Sequence, residues 1–135
     1  MFLRDLLINN RISKSNSFIW DSKTKKLKNI DKFKFLDLDL LIGIDRQKET
    51  ILNNTLNFAN GNFTNNALLW GSRGNGKSSL IKSIFHHVNN LNKNLKLIQL
   101  NKNDIFDIEL IYEKIGKFED YKFIIFLNDL SFENI

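Results

Sequence analysis

The sequence contains no cysteine and no proline among its 135 residues. Without cysteine the chain has no disulfide framework, no zinc finger and no thiol chemistry. Long hydrophobic runs are also missing, since the longest uninterrupted apolar stretch, 123–127, is far shorter than the roughly 20 residues of a membrane helix. Arg4 and Asp5 interrupt the apolar residues near the N-terminus, so no secretory signal core is expected. These absences predict a cytoplasmic protein with no membrane partner.

The residues that are present are typical of a folded domain. Apolar residues make up 42% of the sequence and aromatic residues 12%, which argues against intrinsic disorder. The length suits one domain with a modest core. The net charge of +5 comes from 16 lysines and only 4 arginines, in a sequence with 20 asparagines. Because this bias is expected of AT-rich coding and the lysines are spread out, the charge gives only weak support for nucleic acid as a partner.

The sequence divides into a basic and aromatic segment, 1–35, and a main domain, 36–135. Between residues 13 and 34, seven lysines surround the aromatic residues Phe18, Trp20 and Phe33. Such interleaving suits stacking on single-stranded nucleic acid. It also suits a solvated arm or hairpin that its aromatic side chains fix to the core, which is the interpretation we favour.

Hydrophobic spacing in the main domain predicts alternating helices and strands, the pattern of a parallel α/β sheet with right-handed crossovers. In chain order, the predicted elements are a helix over Arg46–Ala59, a strand over Ala67–Trp70, a helix over Ser78–Val88, a strand over Leu95–Leu100, a helix over Ile105–Ile115 and a strand over Tyr121–Leu127.

Residues of known capping and terminating preference stand at the ends of these helices. Asp45 and Asp104 are placed to act as N-caps of the first and third helices. Asn60-Gly61 is expected to end the first helix, because both residues tolerate a left-handed backbone. The asparagine-rich stretch 89–94 is expected to end the second helix, and Gly116 the third.

The strongest motif, residues 71–78, satisfies G-x-x-x-x-G-K-[ST] in full, between a predicted strand and a predicted helix. Its glycines allow backbone N–H groups to surround phosphate oxygens, and the helix that follows adds the positive end of its dipole. Lys77 is expected to reach the β- and γ-phosphates and Ser78 to ligate Mg²⁺. The residues expected to hold ATP here are Gly71, Ser72, Arg73, Gly74, Asn75, Gly76, Lys77, Ser78 and Ser79.

Nucleotide hydrolysis also requires a carboxylate at the end of a neighbouring hydrophobic strand. Asp129 follows the predicted strand over Tyr121–Leu127 and lies 52 residues after Lys77. We expect it to help hold Mg²⁺ and to orient the attacking water, with strand-end capping as its alternative role. Glu133 is interpreted as a solvated loop residue.

Two further patterns are interpreted as incidental. Residues 101–104, Asn-Lys-Asn-Asp, fit the N-K-x-D pattern of guanine recognition. However, they precede the acidic strand and no D-x-x-G element follows Asp129, so this fit is attributed to chance. The pair His86-His87 has no third ligand nearby and is interpreted as part of a helix surface.

Beyond these motifs, the sequence resembles the AAA+ branch of the P-loop ATPases, and in particular an uncharacterised bacterial ATP-binding family of unknown function. The resemblance covers about Leu36 to Glu133 and includes 39–48, 54–58, 65–71 and 129–133. The phosphate loop is specific to the superfamily, and the Asn-Thr segment in 54–58 and the Leu-Ser-Phe-Glu segment in 129–133 carry the family-level match. It implies a three-layer αβα fold. It also implies that Ile42 and Gly43, in the stretch 41–43, lie against the adenine ring.

The sequence departs from this family pattern in two respects. The family has two consecutive acids after the third core strand, whereas here Asn128 stands in the first position, which is expected to weaken hydrolysis. The later AAA+ elements, namely further strands with a sensor residue, an arginine finger and a helical lid, do not follow within the 135 residues. The chain is therefore expected to hold an incomplete AAA+ core that ends in a central strand without neighbours.

The resulting expectation is a Mg-ATP-binding domain, with ATP hydrolysis and homo-oligomer formation expected of a complete AAA+ protein. The alternative is a non-hydrolysing, nucleotide-dependent interaction module, such as one that loads a partner onto DNA. A small-molecule or nucleotide kinase would require a lid and an acceptor site, and the sequence identifies residues for neither.

Overall fold

The computed structural model describes residues 14–30, 45–61, 67–71 and 77–128, without the side chains of residues 45, 47, 71, 77 and 78. Five strands and three α-helices form this part of the chain, a mixed α/β fold. In chain order they are β1 (Ser17–Asp21), β2 (Lys26–Asn29), α1 (Asp45–Ala59), β3 (Ala67–Gly71), α2 (Lys77–Leu91), β4 (Leu95–Asn101), a 3-10 helix (Lys102–Asp107), α3 (Ile108–Ile115) and β5 (Lys122–Asn128).

The strands form one sheet in the order β2-β1-β4-β5-β3. The last four strands in this order run parallel, and only β2 is antiparallel, to β1. Gly71 of β3 pairs with Leu127 of β5, and Asn101 of β4 pairs with Asn128 of β5. The carboxyl ends of β3, β4 and β5 are therefore level at one edge of the sheet.

Helices cover both faces of the sheet. On one face, α1 and α2 pack against alternate residues of β4 and β5, and on the other face α3 packs against the intervening residues of β1, β4 and β5. Both faces of β5 are buried, which explains its nearly continuous apolar sequence. The buried residues of the first face are Phe58, Ala59, Leu80, Ile81, Ile84, Phe85, Val88, Leu95, Leu97, Ile124 and Phe126. Those of the second are Phe18, Trp20, Ile98, Leu100, Ile111, Ile115, Phe123 and Ile125.

The two parallel crossovers run in opposite directions. The connection from β3 through α2 passes over β5 to reach β4, and the connection from β4 through α3 returns to β5. Because α2 and α3 lie on opposite faces, the two connections have the same hand, as two right-handed crossovers require. The predicted parallel α/β alternation is confirmed in these elements.

The predicted C-terminal ends hold for the first and third helices, at Ala59 and Ile115, and the second helix ends inside the predicted asparagine-rich stretch but three residues beyond Val88. The first helix ends at Ala59, and Gly61 adopts φ +81°, the left-handed conformation expected of this stop. The second continues through Asn89 to Leu91, because the Asn89 amide donates to the Leu95 carbonyl at 2.8 Å and so finds a partner inside the fold.

The third predicted helix, 105–115, is two helices. A 3-10 helix covers Lys102–Asp107 and α3 begins only at Ile108. Gly116 does follow the last residue of α3, but with an ordinary φ of −62°. The expectation that the last strand has no neighbours is also wrong, because β5 pairs with β4 on one side and with β3 on the other.

The N-terminal segment contributes a hairpin to the same sheet. Phe18 is fully buried and Trp20 is 4% exposed, so the hairpin is fixed to the core by these aromatic side chains, as the favoured interpretation predicts. Neither ring is accessible for stacking on a nucleobase. Phe33 lies outside the described residues.

Candidate functional site

The phosphate-loop motif joins the carboxyl end of a parallel strand to the start of a long helix. Gly71 is the last residue of β3, and Lys77 is the first residue of the 15-residue helix α2. At the position of the motif the chain therefore passes from a strand into a helix N-terminus, where unpaired backbone N–H groups favour anions.

The predicted site residues differ in how much the structure describes of them. For Gly71, Lys77 and Ser78 it gives the backbone element alone, and Ser79 is a half-buried residue in the first turn of α2. The predicted site residues outside the described part of the chain are Ile42, Gly43, Ser72, Arg73, Gly74, Asn75, Gly76 and Asp129.

The strand that precedes Asp129 lies directly beside the strand that precedes the phosphate loop. β5 pairs with β3 along its length, from Phe123 opposite Ala67 to Leu127 opposite Gly71. The predicted adjacency of these two strands is confirmed. Asn128, the last residue of β5, is thus one position beyond the level at which β3 ends.

Towards this edge, the sheet face that α2 covers changes from apolar to polar. On β4, Leu95 and Leu97 are followed on the same face by Gln99 and Asn101, and on β5, Phe126 is followed by Asn128. The register places the two asparagines opposite each other. Polar side chains at the carboxyl ends of parallel strands are typical of a ligand site.

Asn128 is buried without a hydrogen-bond partner among the described residues. The residue is only 7% exposed, and no described group donates to its carboxamide oxygen or accepts from its nitrogen. The carboxamide is not among the fully buried side-chain groups without a partner, which in the described part of the chain are the Ser17 and Ser83 hydroxyls, so it reaches space in which a water or a ligand can bind it.

A cavity of about 170 Å³ opens beside this asparagine, at the carboxyl ends of β1, β4 and β5. This volume accommodates several water molecules. The residues lining the cavity come from the first hairpin, from β4 and the 3-10 helix after it, and from the end of β5. They are Ile19, Trp20, Asp21, Ser22, Lys23, Gln99, Leu100, Asn101, Asp104 and Asn128.

Asp104 does not cap a helix, contrary to expectation. Asn101 has that role, because its side-chain oxygen accepts from the backbone N–H of Asn103 at 3.0 Å. Asp104 instead lies inside the 3-10 helix with φ −103° and ψ 16°, in the sparsely populated bridge region. Asp104 is half-buried and lines the cavity, and its side chain has no hydrogen bond or ion pair with another described residue.

The other carboxylate of the cavity, Asp21, has partners within its own hairpin. Lys28 forms an ion pair with it at 2.8 Å, and Thr24 Oγ1 and the Lys23 backbone N–H donate to it at 2.9 and 3.0 Å. These contacts, the Lys28 and Thr24 hydrogen bonds foremost, lower the pKa of Asp21 to about 2. Asp21 therefore serves to close the hairpin turn.

A further carboxylate, Asp107, fixes the hairpin to the end of the 3-10 helix. The Trp20 indole Nε1–H donates to it at 2.9 Å, and Lys25 Nζ contacts both its oxygens at 2.9 and 3.0 Å. The Trp20 hydrogen bond and then that of Lys25 lower the pKa of Asp107. Asp107 thus lies on the same short helix as Asp104, but its carboxylate is occupied by the hydrogen bonds to Trp20 and Lys25 that hold the hairpin.

The sequence did not identify Asp104 as a residue of the cavity, nor did it show that the side chain of Asn128 has no described hydrogen-bond partner. The signal that could have identified Asp104 is its position just after a predicted strand, β4, which the structure places beside β5.

The histidine pair lies on α2, where His86 is half-buried and His87 exposed. Across the described ranges, no three His, Cys, Asp or Glu side chains gather as metal ligands.

Comparison with known proteins identifies a family. A family model described as a protein of unknown function (DUF815) matches residues 13–135, a range that includes the β1–β2 hairpin as well as the phosphate-loop region. Comparisons with curated proteins and with solved structures found no match. None of the described helices has the length and apolar character needed to cross a membrane. The chain belongs to the family of proteins of unknown function designated DUF815.

Proposed function

We propose that this chain binds Mg-ATP through residues 71–78, as a P-loop domain of the AAA+ type. The observation that carries the proposal is the position of the complete motif between the carboxyl end of β3 and the N-terminus of α2. A tight turn from strand to helix needs glycine but does not need Lys77 followed by Ser78. The motif supplies both, in the order that phosphate and Mg²⁺ binding require.

In this proposal each group has a separate role. Backbone N–H groups of the loop and the N-terminus of α2 bind phosphate oxygens, and Lys77 neutralises the charge of the β- and γ-phosphates. Ser78 and Asp129 are the residues that would hold Mg²⁺, and the ion would supply positive charge beside the phosphates. Oxygen donors of hydroxyl and carboxylate type fit this ion.

Binding is tested with Lys77→Ala. The variant should lose affinity for a non-hydrolysable ATP analogue in the presence of Mg²⁺, measured by isothermal titration calorimetry. Lys117→Ala is the matched control, because Lys117 is also a lysine but is exposed and precedes β5, at the opposite edge of the sheet. Unchanged affinity in Lys77→Ala, or equal losses in both variants, would contradict the proposal.

A complete AAA+ protein is further proposed to hydrolyse ATP. Asn128 favours the alternative, a module that binds nucleotide and signals its presence without turnover, because a carboxamide brings no negative charge to the end of β5. Phosphate release measured beside binding separates the two. Turnover by the wild type supports the ATPase, and turnover gained only in Asn128→Asp supports the module.

A further inference from the structure

The position of Asn128 raises a specific problem for Mg²⁺ binding, and this inference rests on the function proposed above. Position 128 is buried at the end of β5 and uncharged, so one of the two acids expected beside the metal is missing. A carboxylate from another element would restore the charge if it lay beside the end of β5.

The strand order brings one such carboxylate into place. β4 pairs with β5 up to the level of Asn101 and Asn128, and Asp104 follows only three residues after that pair. Neighbouring strands are separated by about 4.8 Å, so the chain beyond β4 leaves the sheet next to the end of β5. Asp104 and Asn128 line the same cavity.

Asp104 is also the carboxylate of this cavity whose charge is not compensated by a described partner. Asp21 is paired with Lys28, and the ion pairs among the described residues do not include Asp104. Lys23 lines the cavity from the exposed hairpin turn but makes no ion pair with Asp104. Asn128, which is 7% exposed and whose side chain has no described hydrogen-bond partner, lines the same cavity.

We propose that Asp104, in the 3-10 helix after the neighbouring strand, supplies the negative charge that position 128 lacks and helps to hold the Mg²⁺ of bound ATP through water. Mg²⁺ in nucleotide sites keeps several of its water ligands, and those waters donate hydrogen bonds. The Asp104 carboxylate and the Asn128 carboxamide oxygen are acceptors for such donors, and the cavity has room for several waters. Asp104 is then a positioning residue that acts on the metal through its water ligands.

The test compares the affinity of a non-hydrolysable ATP analogue in Mg²⁺ and in EDTA. In the wild type, Mg²⁺ should strengthen binding, and the ratio of the affinity in Mg²⁺ to the affinity in EDTA is called the Mg²⁺ effect. Asp104→Asn should weaken binding in Mg²⁺ by about 10- to 100-fold, the usual effect of removing an outer-shell partner of a metal, and leave the affinity in EDTA unchanged. Asp104→Glu, which keeps the charge, should retain most of the Mg²⁺ effect.

Two further variants make the test specific to this cavity. Asp120→Asn removes an exposed carboxylate before β5, at the opposite edge of the sheet, and should change neither affinity. The double variant Asp104→Asn/Asn128→Asp moves the charge from the 3-10 helix after β4 to the end of β5 and should recover the Mg²⁺ effect. Thermal unfolding of each variant shows whether it is folded at the assay temperature.

The outcomes separate this inference from the proposed function. If the wild type binds the analogue with a Mg²⁺ effect that Asp104→Asn leaves intact, the role of Asp104 is refuted and ATP binding stands. Equal losses in Mg²⁺ and in EDTA would show a structural role and also refute it. If the wild type fails to bind the analogue in either condition, the proposed function fails and this inference with it.

Discussion

Trp20 fixes the N-terminal hairpin to the sheet through a hydrogen bond and through packing, and the substitution Trp20→Phe removes the first and reduces the second. The indole is 4% exposed in the core beneath α3, and its Nε1–H donates to Asp107 at 2.9 Å. The hydrogen bond to a charged acceptor contributes about 1.5–3 kcal/mol. The smaller phenyl ring leaves a void that costs about 1 kcal/mol. We therefore expect the free energy of unfolding to fall by about 2.5–4 kcal/mol.

Urea unfolding at pH 7, followed by far-UV circular dichroism, measures this loss. The expected value is a large part of the roughly 5–15 kcal/mol by which domains are stable. Tyr112→Phe is the control, because it removes a polar group from an aromatic residue that is 40% exposed, and it should change stability by less than about 0.5 kcal/mol. A loss below about 1 kcal/mol in Trp20→Phe would refute the reasoning, because neither the hydrogen bond nor the burial would then contribute as calculated.

Three other predictions follow from individual positions. Gly61→Ala should lower the free energy of unfolding in urea by about 1–2 kcal/mol, because φ at this position is +81°. A new Cβ would meet no atom closer than 4.0 Å, so the loss comes from the backbone conformation and not from a steric clash. Gly61→Asn should lose less, because asparagine tolerates this conformation, and equal losses would contradict a backbone origin. Lys96 is 2% exposed, and burial lowers the pKa of its amine, which also lies 3.5 Å from Asn16 Oδ1 and 5.3 Å from the centroid of the Tyr121 ring. Because Lys96→Met removes the desolvation penalty but also these two contacts, it should raise stability at pH 7 by less than about 1 kcal/mol. Since the lysine penalty fades as pH rises through the folded pKa towards 10.5, that gain should shrink as the pH approaches 10.5, and a gain independent of pH would argue against desolvation. Asp21, with a pKa of about 2, and Asp107, whose pKa is also lowered, stabilise the fold fully above the unfolded value of 3.8, and this stabilisation is lost as pH falls through their folded pKa values. The urea midpoint should therefore drop as pH falls from 5 to 2.5, and by less in Asp21→Asn.

The elements that the sequence predicted well are those whose signal is local. The helix over α1 and the strands β3, β4 and β5 have periodic or continuous apolar residues, and their observed ends differ from the prediction by no more than one residue. The 3-10 helix was mistaken for the start of α3 because Ile105 and Ile108 fit helical spacing. Asn101, which caps the earlier turn, has the same preference for that position as Asp104.

What the sequence did not reveal depends on long-range pairing. Nothing local indicates that β1 pairs with β4, some 80 residues away, because that pairing is stabilised by the burial of Phe18 and Trp20 beneath α3. The position of Asp104 beside Asn128 also depends on long-range pairing. Which carboxylate lies beside the end of β5 depends on the strand order, and that order depends on the direction of each crossover.

These long-range contacts connect the stability of the hairpin with the proposed metal site. Asp107, the acceptor of the Trp20 hydrogen bond, lies three residues after Asp104 on the same 3-10 helix, and residues of the hairpin form one wall of the cavity. A substitution that releases Asp107 should therefore also loosen Asp104. At a temperature where Trp20→Phe remains folded, we expect the Mg²⁺ effect on nucleotide affinity to shrink while the affinity in EDTA stays unchanged. An unaltered Mg²⁺ effect in that variant would show that Asp104 keeps its position without the hairpin anchor.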